Sequence, residues 1–132
     1  MRMLGPVLDT DDVPMLARFY ERLLGWELAE VEGPRPGYPD ADGWARLRPS
    51  DGAGKIEIQW ERYYTRPVWP PAPGEPQMMI HLDIGVEDLD AGVAWALECG
   101  ATIASEQPQK PGWHVIMLDP SGHPFCMCRV DD

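Results

Sequence analysis

The sequence predicts an α+β domain made of two βαβββ modules that form a curved mixed sheet around a shared cleft. Two observations favour this fold class. First, the chain of 132 residues repeats itself, since placing Asp88 over Asp12 aligns two apolar helical patterns, and Trp113 falls over Trp44 further along. Second, a proline-rich stretch, residues 65–77, separates the copies, and its composition excludes a helix or a central strand. Each copy alone leaves a sheet face uncovered, and joining the copies buries that face.

The first module, residues 1–64, has signals for one helix and four strands. A helix is predicted over residues 14–24, because apolar residues recur at three- and four-residue steps after the N-cap candidate Asp12, and Gly25 ends the pattern. Strands are predicted over residues 4–10, 26–31, 43–48 and 54–61, and residues 33–42 are predicted to form a loop.

The second module, residues 78–132, repeats this order after the linker of residues 65–77, and the whole chain is predicted to be a single domain. Residues 81–86 alternate as a strand, Asp88 caps a helix, and Gly100 ends it. The last strand is predicted over residues 124–130. The apolar stripe predicted for the helix consists of Leu89, Val93, Ala96 and Leu97.

The charge balance excludes several classes of partner. The 22 acidic residues outnumber the 11 basic ones and give a formal net charge of -11. Such a surface repels phosphate backbones and anionic lipid headgroups, so we expect no nucleic-acid partner and no membrane partner. No apolar segment has the length of a signal-peptide core or a membrane span, and three cysteines do not make a disulfide framework. The sequence therefore predicts a cytoplasmic protein with reduced thiols.

Three stretches of the chain carry distinctive motifs. The first is DVPMLARFY, residues 12–20, followed by Leu24-Gly25-Trp26; the second joins His81-Leu82-Asp83 to DLDA, residues 88–91; the third is LDPSGH, residues 118–123. Together they resemble the vicinal oxygen chelate superfamily, which includes glyoxalase I, bleomycin-resistance proteins and extradiol dioxygenases. The resemblance covers nearly the whole chain and implies the glyoxalase-like fold, a small-molecule ligand and a tendency to form homodimers.

The resemblance also implies four metal-ligand positions, on the first and last strands of each module. Carried over by the repeat, they fall on Gly5, Glu57, His81 and Cys126. Glycine has no ligating side chain, and Cys126 stands where the metalloenzymes of the superfamily carry a glutamate. Glu57, His81 and Cys126 remain as candidate metal ligands, and this set suits Zn²⁺ with an open fourth position. We expect no resident cofactor, with a divalent metal ion (Zn, Ni, Mn or Fe) as the alternative.

Strand alternation extends these positions to a ligand pocket. Residues two apart on a strand share a face, so each candidate ligand brings a neighbour into the cleft, while alternates such as Ile56 and Ile58 suit the helix-facing core. For Gln59 and Asp83 the alternative role is only to satisfy buried backbone groups. The predicted ligand pocket consists of Trp44, Glu57, Gln59, His81, Asp83, Trp113, Cys126 and Cys128.

The other two histidines have no predicted ligand role. His123 lies in the turn of residues 119–124, and His114 is expected on the outer or rim side, beside Trp113. No phosphate-binding loop and no nucleophile with a nearby base is visible in the sequence. The sequence therefore identifies no catalytic residues and leaves open whether the protein is an enzyme.

Three functions are compatible with these features. The first is metal-independent binding of a small aromatic or hydrophobic molecule in the cleft, as bleomycin-resistance proteins do. The alternative is a divalent-metal-dependent lyase, isomerase or dioxygenase of the glyoxalase kind, using Glu57 and His81. The third is a dimerisation or regulatory domain whose contact surface is the Trp- and Pro-containing segment of residues 65–77.

Overall fold

The computed structural model describes residues 1–107 and 111–131, and the chain divides into two compact units, Met1–Tyr64 and Thr65–Asp132. The first unit contains β1 (Val7–Thr10), α1 (Val13–Leu24), β2 (Glu27–Glu32), β3 (Trp44–Arg48) and β4 (Ile56–Trp60). The second unit contains β5 (Leu82–Val86), α2 (Leu89–Cys99), β6 (Thr102–Ile103), β7 (His114–Leu118) and β8 (Pro124–Arg129).

The two units have the same sheet topology. The strand order is β1-β4-β3-β2 in the first unit and β5-β8-β7-β6 in the second. In each sheet the first strand pairs in parallel with the last strand of its unit, and the other neighbours are antiparallel. The predicted α+β class with paired βαβββ modules is therefore confirmed.

Helix α1 begins at Val13, one residue before the predicted range, and ends at Leu24 as predicted. The Asp12 side chain accepts a hydrogen bond from the Met15 amide at 3.1 Å, which satisfies one unpaired donor of the first turn. Gly25 adopts a left-handed φ of 63° and donates its amide to the Glu21 carbonyl. Leu16 and Tyr20, on the inner face, are fully buried against the sheet.

Helix α2 has the same cap types but a narrower contact with its sheet. Asp88 accepts from the Ala91 amide at 3.0 Å, and Gly100 ends the helix. Leu97, predicted as part of the apolar stripe, is instead 45 % exposed. The reason is a shift of the contact face toward Gly92, where an added Cβ would lie only 3.0 Å from side-chain atoms of the sheet. None of the helices within the described residues has the length and apolar character needed to cross a membrane.

The first strand is shorter than predicted: it begins at Val7, and residues 4–6 lie before it. Gly5 has a φ of +129°, and a Cβ added there would lie 2.6 Å from the Lys55 carbonyl oxygen. Only glycine tolerates both this backbone angle and this close approach. Pro6 then contributes its carbonyl to the Glu57 amide at 3.1 Å, just before the regular pairing begins.

The turn before β8 is held by a buried aspartate. Asp119 Oδ1 accepts from the amides of Ser121 at 2.9 Å and His123 at 3.0 Å, and its Oδ2 lies 2.7 Å from His123 Nδ1. Both side chains are almost completely buried. His123 therefore has the turn role that the sequence predicted.

The strand registers correct the repeat alignment by one residue. Trp44 pairs with Gln59, whereas His114 pairs with Cys128, so the β7–β8 hairpin is one residue shorter than the β3–β4 hairpin. The structural counterpart of Trp44 is therefore His114, and Trp113 lies in the turn before β7. A slip of one residue moves a side chain to the other face of a strand, which is why the ungapped alignment misplaced His114.

Candidate functional site

The open face of the first unit's sheet, turned away from α1, carries the polar side chains of β3 and β4. The alternate residues of these strands are buried in the core. On the open face Trp44 lies opposite Gln59, and Arg46 lies opposite Glu57. Glu57 and Gln59 thus share a face, as their spacing predicted.

Glu57 is the centre of a charge cluster on this face. Its Oε1 accepts hydrogen bonds from Arg46 Nε at 2.8 Å, from Arg46 Nη2 at 2.6 Å, and from Lys55 Nζ. Arg46 Nη1 also donates to Glu30 Oε1 at 2.6 Å. Burial alone raises the pKa of Glu57, but the hydrogen bonds from Lys55 and Arg46 outweigh it and leave the pKa lowered. Glu57 is therefore an ionised carboxylate that already binds two cations.

A pocket of about 800 Å³ opens beside this cluster. Its walls come from β2, β3, the end of β4 and the following residues, and the loop of residues 33–43, so every lining residue belongs to the first unit. Trp44 and Gln59, two of the predicted pocket residues, line it.

The loop of residues 33–43 is fastened by an ion pair. Asp42 accepts from the Arg35 amide at 2.8 Å and from Arg35 Nε at 2.9 Å and Nη2 at 2.8 Å. The Val13 amide, at the start of α1, donates to the Ala41 carbonyl at 3.0 Å. The Arg35 hydrogen bonds lower the pKa of Asp42 from 3.8 to about 2. The loop that forms this pocket wall is thus closed on itself by Arg35 and Asp42 and held to the start of α1 by Ala41.

Aromatic rings and guanidinium groups alternate around the pocket. Tyr38 and Trp60 meet edge to face with ring centroids 5.6 Å apart. The Arg35 guanidinium lies 4.0 Å from the Tyr38 ring centroid, and the Arg62 guanidinium lies 5.5 Å from it. Arg46 lies 4.8 Å from the Trp44 ring. Such cation–π contacts hold flat surfaces in fixed orientations.

Most of the lining residues were absent from the predicted pocket, among them Arg35, Tyr38, Arg46 and Trp60. Arg46 is two residues from Trp44 on β3, so the same alternation that places Glu57 and Gln59 on one face also places Arg46 beside Trp44. Arg35 and Tyr38 lie in a loop without periodicity, and no pattern in the sequence shows which side chains such a loop turns toward a sheet.

The open face of the second unit's sheet carries a different group. A ring nitrogen of His114 and the Sγ atoms of Cys126 and Cys128 all lie within 4.8 Å of one another. Asp83 on β5 pairs with Cys126 on β8. His114, expected on the outer or rim side, therefore lies with the cysteines of the predicted pocket.

The two thiols are protonated in this environment. Burial is the main cause that raises the pKa of Cys126 to about 12, and the neighbouring Cys128 and the Asp83 carboxylate contribute to the same rise. Burial and the same carboxylate raise the pKa of Cys128. These side chains are neutral unless a cation replaces their protons.

The remaining predicted pocket residues of the second unit are more exposed. His81 Nε2 lies 3.3 Å from Asp83 Oδ1, and both side chains are more than half exposed. Trp113 is 47 % exposed; its carbonyl accepts from the Arg129 amide at 2.9 Å, and the Arg129 guanidinium lies 5.9 Å from its ring. The predicted metal set of Glu57, His81 and Cys126 takes residues from both units and stays a prediction.

Comparison with known proteins identifies similar chains. The sequence model of a family described as glyoxalase-like domain matches residues 6–128. A search of curated protein sequences finds no significant match.

Solved structures with similar folds include three with informative descriptions. A glyoxalase family protein from Enterococcus faecalis is 22 % identical with a TM-score of 0.68, covering 96 % of each chain. Glyoxalase I of Leishmania major, described as trypanothione-dependent, is 20 % identical with a TM-score of 0.67, covering 98 % of this chain and 86 % of that one. A mutant of the fosfomycin resistance protein FosX from Listeria monocytogenes, complexed with Mn(II) and a dihydroxypropylphosphonic acid, is 14 % identical with a TM-score of 0.69, covering 96 % and 90 %. At these identities the similarity establishes the fold.

Proposed function

Because this chain belongs to the glyoxalase-like domain family of the vicinal oxygen chelate superfamily, we propose that it binds a small planar aromatic molecule in the pocket of its first unit. The observation that carries the proposal is a pocket of about 800 Å³ lined by Tyr38, Trp44 and Trp60. Small-molecule pockets typically enclose about 300–1,000 Å³ and combine aromatic walls with a few polar groups. This pocket has both properties.

Polar groups between the rings supply orientation. Gln59 is exposed and lies opposite Trp44, so its amide offers a donor and an acceptor beside an aromatic wall. Arg46, held by Glu57, presents a planar guanidinium next to the same ring. A flat ligand with one hydrogen-bonding edge matches this arrangement.

The charges favour a neutral or cationic ligand over an anion. Four carboxylates and three guanidinium groups line the pocket. Arg35 is already paired with Asp42, and Arg46 is paired with Glu57 and Glu30. An anionic ligand at Arg35 or Arg46 would have to displace one of these carboxylates, and four carboxylates outnumber the three guanidinium groups of the lining. A phosphonate such as the one bound by the FosX protein is therefore a poor match for this pocket.

The second candidate is a metal-dependent lyase, isomerase or dioxygenase using Glu57 and His81, and the Mn(II) complex of the FosX protein supports it. The donor set of this chain argues against a hard divalent ion at those positions. Gly5 has no donor side chain, Glu57 is already paired with Arg46 and Lys55, and Cys126 offers sulfur instead of oxygen. Hard ions prefer oxygen ligands that are free to coordinate.

The proposal is tested by ligand binding to matched tryptophan variants. A panel of planar aromatic compounds is screened by calorimetry, and the best ligand is titrated into wild type, Trp44→Ala and Trp95→Ala. Loss of one ring contact is expected to weaken binding about 3- to 10-fold in Trp44→Ala. Trp95 lies on α2 in the other unit, 42 % exposed, and serves as the control that keeps wild-type affinity.

Equal affinities of Trp44→Ala and Trp95→Ala would place the ligand elsewhere. The titration is repeated after exhaustive chelation of divalent ions, and the affinity is expected to stay unchanged. If binding disappears with the metal and returns with Mn²⁺, the metal-dependent alternative replaces the proposal.

A further inference from the structure

The His114, Cys126 and Cys128 cluster is built by the pairing of two strands. Cys126 and Cys128 are two residues apart on β8 and therefore share a face. His114 lies directly opposite Cys128 in the β7–β8 register. All three side chains are half-buried, so an ion from solvent can reach them while neighbouring residues limit their movement. The cluster is thus positioned by backbone hydrogen bonding rather than by a loop.

The distances suit a tetrahedral ion. Zinc bonds of about 2.3 Å to sulfur and 2.0 Å to nitrogen place neighbouring ligand atoms roughly 3.5–3.8 Å apart. The three donor atoms here lie within 4.8 Å of one another. Small side-chain rotations close that difference without movement of the strands.

The donor types select a soft cation. Two sulfurs and an imidazole nitrogen are preferred by Zn²⁺ and Cu⁺, whereas Mg²⁺, Ca²⁺ and Mn²⁺ prefer oxygen. The Asp83 carboxylate, on the strand next to Cys126, adds negative charge beside the sulfurs. A bound cation would release two thiol protons to solvent and leave two thiolates, which neutralise a divalent ion.

A disulfide is the competing use of the same thiols, and the strand geometry disfavours it. The Cα atoms of residues two apart on an extended strand are separated by about 6.7 Å, which is at the upper limit for a disulfide. Both cysteines are free thiols in the structure, and Cys128 Sγ lies 3.8 Å from the Cys126 carbonyl oxygen.

We propose that His114, Cys126 and Cys128 form a site for one thiophilic metal ion, of the Zn²⁺ or Cu⁺ class, with a fourth position open to solvent. Only Cys126 belongs to the four positions that the superfamily resemblance implied. The site lies entirely within the second unit, and it is independent of the aromatic pocket proposed for the first.

The test is metal titration of the reduced protein with Co²⁺ and then Zn²⁺. We expect one Co²⁺ per chain, a thiolate-to-cobalt charge-transfer absorption, and displacement of Co²⁺ by Zn²⁺. Cys128→Ser and His114→Ala should each weaken binding about 100-fold or more, since even changes outside the ligand shell cost 10- to 100-fold. Cys99→Ser, a change at a third cysteine of the same unit, is the matched control and should change affinity less than about 3-fold. His81→Ala, at an exposed histidine among the positions that the resemblance implied, separates those positions from the proposed site.

Three results would overturn the proposal. One is the absence of a charge-transfer band in wild type; another is equal loss of affinity in Cys99→Ser and Cys128→Ser. The third is loss of the metal in His81→Ala but not in His114→Ala, which would move the ion to the family positions. Should a cysteine variant fail to fold, alkylation of wild type decides: Zn²⁺ must protect Cys126 and Cys128 and leave Cys99 reactive.

Discussion

Single residues set the charge balance of the first unit's pocket, and Asp42 shows how. Its side chain is 1 % exposed, and it accepts three hydrogen bonds from Arg35. A buried carboxylate is stable as an anion only when such donors replace its water. The same pair places the Arg35 guanidinium against Tyr38, so the ion pair both closes the loop and shapes the wall.

Asp42 predicts a defined acid sensitivity. Its pKa is lowered on folding from 3.8 to about 2, so its ionised form stabilises the fold. That stabilisation is complete above pH 3.8 and is lost as the pH falls toward 2. We expect wild type to be more stable than Asp42→Asn at neutral pH, and the difference to shrink across this interval.

The measurement is urea unfolding of both proteins between neutral pH and the acid limit. Asp40→Asn, an exposed change in the same loop, is the control and should follow wild type throughout. A stability difference between wild type and Asp42→Asn that stays constant down to the lowest pH would show that the ion pair does not form.

Helices are the elements in which the local sequence determines the structure most directly. Both begin with an aspartate whose side chain binds the third helical amide, and both end at a glycine with positive φ. They differ in packing, since α1 buries six residues and α2 only Leu89 and Ala96. The cap energies should therefore be similar although the helices are not.

Replacing either cap is expected to lower the free energy of unfolding by about 1 kcal/mol, because one amide of the first turn loses its partner. The variants are Asp12→Ala and Asp88→Ala. Asp11→Ala, an exposed neighbour outside the cap hydrogen bond, should stay within about 0.5 kcal/mol of wild type. Denaturant midpoints measure the differences, and an Asp11→Ala effect as large as that of Asp12→Ala would rule out the capping explanation.

The elements were largely predictable from caps and alternation, but the site was not. Asp12, Gly25 and Gly100 marked helix ends correctly, whereas β6 is only two residues long and carries no period of its own. Alternation placed Glu57 and Gln59 on one face. It could not reveal that Glu57 is bound by Lys55 and Arg46, because cross-strand partners depend on register, which turn lengths decide.

Across the whole molecule, two units with one topology carry different chemistry at equivalent positions. When the pair β5–β8 is aligned with the pair β1–β4, Cys126 corresponds to Glu57, Cys128 to Gln59, and His114 to Trp44. The first unit therefore presents charged, aromatic groups and the second presents soft donors. The shared sheet order fixes where side chains project, and the side chains alone decide what each face binds.

The net charge of -11 acts on the molecule as a whole. With 22 acidic against 11 basic residues, we expect long-range repulsion among carboxylates to outweigh the attraction in exposed pairs such as Arg46 with Glu30. Raising NaCl from roughly 10 to 200 mM shortens the Debye length from about 30 Å to below 10 Å and screens that repulsion. We expect the Tm to rise by about 3 °C over this range. MgCl₂ at equal ionic strength is the control: an equal rise in Tm indicates screening, and a larger rise indicates specific binding of the divalent ion. A fall in Tm with NaCl would show that the exposed ion pairs affect stability more than the net charge does.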